Sequence, residues 1–168
     1  MRQSADESRL ARIIERMLTQ RVCLEWAVRE LAHLPGPVLE IGLGKGRTYD
    51  HLRRLAPERS IFCFDRDVHA TPDCVPPSTH LLLGDFRETL PVAMTRIGEP
   101  AALVHADVGS ENHERDARLV AQIAPLIAEL LRPGGLLLSD RAMTLPDWRR
   151  VELPEGVGRW EYFIYRRS

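Results

Sequence analysis

The chain has no stretch approaching 18 uninterrupted apolar residues, so it offers no ordinary membrane-spanning helix. Its start, MRQSADESRLAR, alternates charged and polar groups and lacks the apolar segment of an export signal, so the expectation is a soluble, cytoplasmic protein with no membrane partner. An excess of charge is also missing. With 23 basic and 24 acidic residues the net charge is -1, which provides no overall field toward a polyanion and gives nucleic acid no support as a partner. The three cysteines, Cys23, Cys63 and Cys74, are an odd number without a short-spaced pair, which argues against both a disulfide framework and a thiolate zinc site. There is no internal repeat, no low-complexity tract and no arrangement that would activate a Ser or Cys nucleophile. A length of 168 residues is enough to bury one core and too little for two ordinary domains.

What is present alternates between helical and extended patterns. Leu10, Ile13, Ile14 and Met17 share one helical face, and Val22, Trp26 and Leu31 continue a second stripe. Thr19 is placed to cap a second helix between them, so two N-terminal helices are expected within residues 1–34. Leu34-Pro35-Gly36-Pro37 then breaks the helix. Strands are expected at 38–41, 61–64, 79–83, 103–106 and 136–138, each followed by a turn or an acidic residue. Helices are expected at 47–55, through Phe86, Leu90, Met94 and Ile97, and from His113 to Leu131, where Pro133-Gly134-Gly135 ends the last of them. Residues 66–78 hold three prolines and room for about one helical turn. No helix is expected after Asp140, and 150–153 with 159–165 reads as an antiparallel hairpin on the edge of a mostly parallel sheet. The fold class is therefore α/β, a three-layer sandwich.

The loop Gly42-Leu43-Gly44-Lys45-Gly46 joins the first strand to a helix. Glycines there allow a close approach, and the helix start presents unpaired N–H groups, which together favour a nucleotide or other polar ligand over a routine turn. A dinucleotide fingerprint would place its third glycine at position 47, which is Arg47, so a nicotinamide-linked oxidoreductase is a disfavoured alternative. Asp65 ends the next strand, where it can accept hydrogen bonds from a ribose or cap the following turn. Lys45, Arg47, Arg66 and Asp67 are either solvated charges or contacts for a ligand carboxylate or a substrate anion.

In order along the chain, VLEIGLGKG at 38–46, FCFD at 62–65, LLLGDF at 81–86, VHAD at 104–107 and LRPGGLLLSD at 131–140 resemble the class I, seven-strand family of S-adenosylmethionine-dependent methyltransferases. The resemblance covers nearly the whole chain. It implies a sheet of order 3-2-1-4-5-7-6, N-terminal helices at 1–34 packed on a methyltransferase core at 35–168, and S-adenosylmethionine as cofactor. Carried onto this sequence, it assigns Glu40, Gly42, Gly44 and Gly46 to the amino-acid part of the cofactor, Asp65 to the ribose, and Asp85 with Phe86 to the adenine. It also directs the sulfonium toward Asp107.

The same resemblance raises a catalytic reading of Asp107 and Asp140, which end neighbouring strands. Some small-molecule O-methyltransferases hold Mg²⁺ with comparable carboxylates, but here Arg141 occupies a position where that subgroup carries another Asp or Asn. No metal ligand is assigned. His113 is the preferred base because it lies beyond the strand near a helix start, with a solvated residue as the plain alternative. The segment ADVGS after the fourth strand departs from the N/D-P-P-Y/F segment of many base-directed amino-methyltransferases. The carboxylates and the small fold resemble the small-molecule branch, which implies a small hydroxylated molecule as acceptor. With almost no inserted substrate domain, a homodimer is a further expectation, and a noncatalytic nucleotide-binding or scaffold protein is the remaining alternative.

Overall fold

A computed structural model describes residues 7–168. Residues 1–6 of the segment read as lacking an export signal lie outside the described residues. Among the described residues, no helix is long and apolar enough to cross a membrane.

The N-terminal region forms one helix, α1 (Arg9–Glu30), in place of the expected two. Ser8 caps it by accepting from the Ala11 N–H (3.1 Å). Thr19 caps nothing: its hydroxyl donates to the Glu15 carbonyl one turn back (2.9 Å), a bond that leaves the helix continuous. The two predicted stripes also differ in outcome. Of the second, Leu31 is buried while Val22 and Trp26 are half-buried beside the buried Cys23, Leu24 and Ala27, whereas Leu10, Ile13 and Ile14 of the first are 68%, 56% and 55% exposed.

Beyond α1 the chain alternates: β1 (Val38–Ile41), α2 (Arg47–Leu55), β2 (Ile61–Asp65), β3 (Leu81–Leu83), α3 (Phe86–Val92), α4 (Met94–Ile97), β4 (Ala101–Ala106), α5 (His113–Leu130) and β5 (Leu131–Ser139). Short 3₁₀ turns at Pro72–Cys74 and Ser78–His80 occupy the proline-rich connection. The single helix expected over Phe86 to Ile97 is divided at Ala93, two residues after Pro91, which has no N–H for a helical bond. The last pair is β6 (Arg149–Val151) and β7 (Phe163–Arg166). The sheet order is β3-β2-β1-β4-β5-β7-β6, parallel from β3 to β5 and antiparallel at β7 and β6. β5 begins before the expected Leu136, because Leu131 already pairs with Ala101 and the register shifts before Leu136 meets Leu103.

Alternation along these strands divides the core between the two faces of the sheet. Leu39, Ile41, Phe62, Phe64 and Val104 face Leu90 of α3 and Val120, Ile123 and Ile127 of α5. Val38, Cys63, Leu103, Leu136, Leu138 and Ile164 face Leu24 and Ala27 of α1 and Leu52 of α2. The same alternation carries Glu40, His105, Asp107, Asp140 and Tyr162 onto the α1 side. The polar groups at the strand ends therefore converge under one helix.

Candidate functional site

The strand order reverses between β1 and β4, and the C-terminal ends of β1, β2, β3 and β4 open there into a cavity of about 930 Å³. A crevice at such a reversal is where an open α/β sheet receives its ligand. The glycine loop forms one wall. Gly42 and Gly46 have φ of 93° and 78°, and a Cβ at either would collide with protein, with the Asp107 carbonyl in the first case and with Cys74 in the second. Gly44 differs because a Cβ there meets nothing within 4 Å. Two of the glycines thus let neighbouring chain approach, and Gly44 is the one whose missing side chain faces open space.

Glu40 is fully buried beneath this loop and does not line the cavity. It accepts from the Thr48 hydroxyl (2.5 Å) and from Nδ1 of His105 (2.9 and 3.0 Å). The two are register partners on β1 and β4, which explains their meeting. Burial alone would lower the His105 pKa, but Glu40, Asp107 and Asp140 raise it above the ordinary value. Among the described residues its Nε2 lacks a protein partner.

Asp65 lines the cavity. Its carboxylate accepts from the N–H groups of Gly44 (2.9 Å) and Arg66 (2.7 Å), and roughly half of its acceptor capacity is left for a ligand. Asp85 caps α3 through the Arg87 N–H (2.9 Å) and is gripped by the side chains of Arg87 (2.5 Å) and Arg66 (3.1 Å). Hydrogen bonding from Arg87 holds its pKa well below the usual carboxylate range. Phe86 borders the same wall.

At the β4 end, Asp107 is bound from α1. Arg16 Nη2 donates to both carboxylate oxygens (2.6 Å each), and Gln20 Nε2 donates to Oδ2 (3.0 Å). Burial would raise the Asp107 pKa, yet Arg16 and the His105 charge hold it below the ordinary value. Neither Arg16 nor Gln20 was marked by the sequence as a site residue. Their four-residue spacing on the helical face that carries Met17 was the available signal.

Asp140 is buried outside the cavity lining and accepts from the N–H groups of Val108 (3.2 Å) and Gly109 (2.9 Å). Burial and the Asp107 charge push its pKa up to about 6. Arg141 turns to the buried Asp116 (2.9 Å) and to the Ser110 carbonyl (3.0 Å), while Asp116 accepts from the Ser110 N–H and hydroxyl (2.6 Å each). These contacts fasten the loop after β4. His113 is exposed in the first turn of α5 and does not line the cavity.

A mostly parallel seven-stranded sheet with a glycine loop, an Asp at the end of β2 and a crevice at the strand reversal defines a nucleotide-binding enzyme of the class I methyltransferase type. The chain belongs to the S-adenosyl-L-methionine methyltransferase family, whose model matches residues 7–167, and it is an S-adenosylmethionine-dependent methyltransferase. Among solved structures it is similar to an S-adenosyl-L-methionine methyl transferase from Silicibacter pomeroyi DSS-3, at 47% identity and a TM-score of 0.90, with 97% of this chain and 100% of that one covered. Its fold is also similar to TrmN from Thermus thermophilus (19% identity, TM-score 0.61, 88% of this chain and 49% of that one). A third likeness of fold is to DesVI from Streptomyces venezuelae (15% identity, TM-score 0.51, 83% and 61%). No curated protein matches the chain. Family membership sets aside the oxidoreductase and scaffold alternatives.

The residues present fit S-adenosylmethionine, since the cavity offers the open face of Gly44, the spare acceptor capacity of Asp65 and the apolar ring of Phe86. They do not fit Mg²⁺. Both Asp107 oxygens are occupied by Arg16 and Gln20, and Asp140 is turned onto backbone amides. Among the described residues, no group of three His, Cys, Asp or Glu could hold a metal ion.

Proposed function

We propose that the enzyme methylates an oxygen of a small hydroxylated molecule held against the Arg16–Asp107–Gln20 cluster. The observation that carries this reading is the orientation of Gln20. Its Nε2 donates to Asp107, which fixes the amide and, among the described residues, leaves the buried Oε1 of this cavity-lining side chain without a protein partner, an acceptor that a small local shift would offer to a hydroxyl proton.

Bound in the cavity, S-adenosylmethionine supplies an electrophilic methyl group on a sulfonium. Gly44, Asp65, Asp85 and Phe86 are the residues proposed to hold it, while Glu40, Gly42 and Gly46 keep the loop in shape from behind. Asp107 would place negative charge toward the sulfonium and, being paired with Arg16 and low in pKa, is a weak base. Asp140 positions the Val108–Gly109 backbone at the cavity wall. The catalytic contribution of these residues would be orientation and electrostatics. His113 stands too far outside this lining to serve as base without movement of the α5 start.

The test is methyl transfer to a panel of small alcohols, phenols and hydroxy acids, each paired with its amine analogue, with Mg²⁺ or EDTA. O-methylated products at equal rates in both buffers support the reading. Transfer to the amines alone, or activity only with Mg²⁺, overturns it.

A further inference from the structure

The cavity has a charge that the rest of the molecule does not share. The whole chain carries a net charge of -1, yet the side chains lining the cavity include four more basic than acidic residues. The three acids are already engaged. Asp107 is paired with Arg16, Asp85 is shared by Arg66 and Arg87, and Asp65 accepts backbone N–H groups. Among the described residues, Arg118 pairs with Glu114 alone, in an exposed pair of the kind that contributes little. Among the described residues, Lys45, Arg47 and Arg115 have no carboxylate within ion-pair distance. They come from opposite rims, the glycine loop and the start of α5.

The methyl donor cannot neutralise this surplus. Its sulfonium and ammonium outnumber its single carboxylate, so its binding leaves the site more positive still. A low-dielectric cleft lined by one sign of charge concentrates ligands of the other sign. We propose that the second ligand of this cavity, the methyl acceptor, is a small anion bearing a carboxylate or phosphate group gripped by Arg115 and Arg118 on the α5 rim and by Lys45 on the loop rim. This rests on the methyl-transfer reading and narrows its acceptor to hydroxylated acids or phosphorylated alcohols. The surplus is confined to a cavity of about 930 Å³ in a chain of net charge -1, which favours a small molecule over RNA.

The test uses the full chain. S-adenosylhomocysteine is titrated first, and the saturated complex is then titrated with pyrophosphate, with citrate and with a short single-stranded RNA at constant ionic strength. Saturable binding of pyrophosphate or citrate, weakened at least about tenfold in Arg115→Gln/Arg118→Gln with unchanged S-adenosylhomocysteine affinity, is the expected result. Because Lys45 is the only lysine, an amine-directed label read by mass spectrometry gives a second measure, and the bound anion should protect it. Absence of small-anion binding, equal affinity in the double variant, or binding of the RNA alone overturns the proposal. Anion binding without O-methylation of any hydroxylated acceptor would instead defeat the hydroxyl reading and leave the anion site standing.

Discussion

On the β1–β3 side of the cavity the working groups are backbone, or carboxylates fixed by nearby chain: the Gly44 and Arg66 amides hold Asp65, and the α3 start with the adjacent Arg87 and Arg66 side chains holds Asp85. On the β4 side they are side chains delivered from a distant helix, Arg16 and Gln20 lying 91 and 87 residues from the Asp107 they bind. The first half depends on chain geometry and the second on charge balance. A substitution that removes one methyl-sized space should therefore be severe in the first half, and one that removes a charge should be severe in the second.

Glycine substitutions test the first half most directly. Gly42→Ala forces a Cβ against the Asp107 carbonyl at a φ of 93°, which should cost about 2–5 kcal/mol from strain and overpacking together. For a chain of this size that lowers the melting temperature by on the order of 10 °C. Gly44→Ala, at a φ of 52° with open space before it, should cost only about 1–2 kcal/mol while weakening S-adenosylhomocysteine binding. Thermal melts and ligand titration of both variants separate the two effects. Equal melting of Gly42→Ala and wild type would remove the structural role given to that glycine.

In the second half, Arg16→Ala leaves Asp107 with Gln20 as its side-chain donor. Since Arg16 is 34% exposed and Asp107 16%, the loss should be about 1–3 kcal/mol, below that of a fully buried pair. Adding Asp107→Asn should recover much of it, read as coupling in a double-mutant cycle. Independent, additive losses would reduce the pair to an ordinary surface contact.

The two carboxylates at the ends of β4 and β5 should also titrate in opposite directions, which carboxyl-carbon NMR can follow. Asp140 should titrate near 6 and Asp107 below the ordinary value of 3.8. Their contributions to stability then have opposite signs. For Asp140 the unfolded chain releases its proton first, so stability is lost as pH rises from about 4 toward 6, by on the order of 3 kcal/mol. The Asp107 contribution is present above the unfolded value and is lost as pH falls through the lower folded one. Arg16→Ala should raise the Asp107 midpoint. A midpoint unmoved by that change would mean that the guanidinium does not set it.

This difference in construction also explains what could be read from the sequence. The strands, the terminal hairpin, the glycine loop and the position of Asp65 are local patterns, and each was legible because its physics is contained in a few consecutive residues, whereas the strand order came from the family resemblance. Arg16 and Gln20 were not, since a helix face about 90 residues upstream shows its polar positions but not the carboxylate they will meet. The Glu40–His105 pair lay between these extremes. Both sit on strands placed correctly, and period-two alternation from Val38 and Leu103 sets them on one face, yet only the β1–β4 register makes them partners. The expected cap at Thr19 failed for a related reason: a β-branched residue with a hydroxyl satisfies itself within a helix as readily as at its start.

Tyr162 gives the smallest effect and the finest test of the contrast. Its ring is buried beside His105, with centroids 6.3 Å apart, and burial together with the charges of Asp107 and Glu40 pushes its hydroxyl pKa well above the ordinary value. Among the described residues, the hydroxyl has no protein partner. Tyr162→Phe removes a buried polar group while keeping the ring, so stability should remain within about 0.5 kcal/mol of wild type or rise by about 1 kcal/mol. Because Tyr162 stands one step behind the Asp107 cluster, S-adenosylhomocysteine affinity should not change. A loss above about 2 kcal/mol would show that the hydroxyl is bonded in solution and belongs to the polar network under α1, so that the charge-built half of the cavity extends further into the core than the protein contacts alone define.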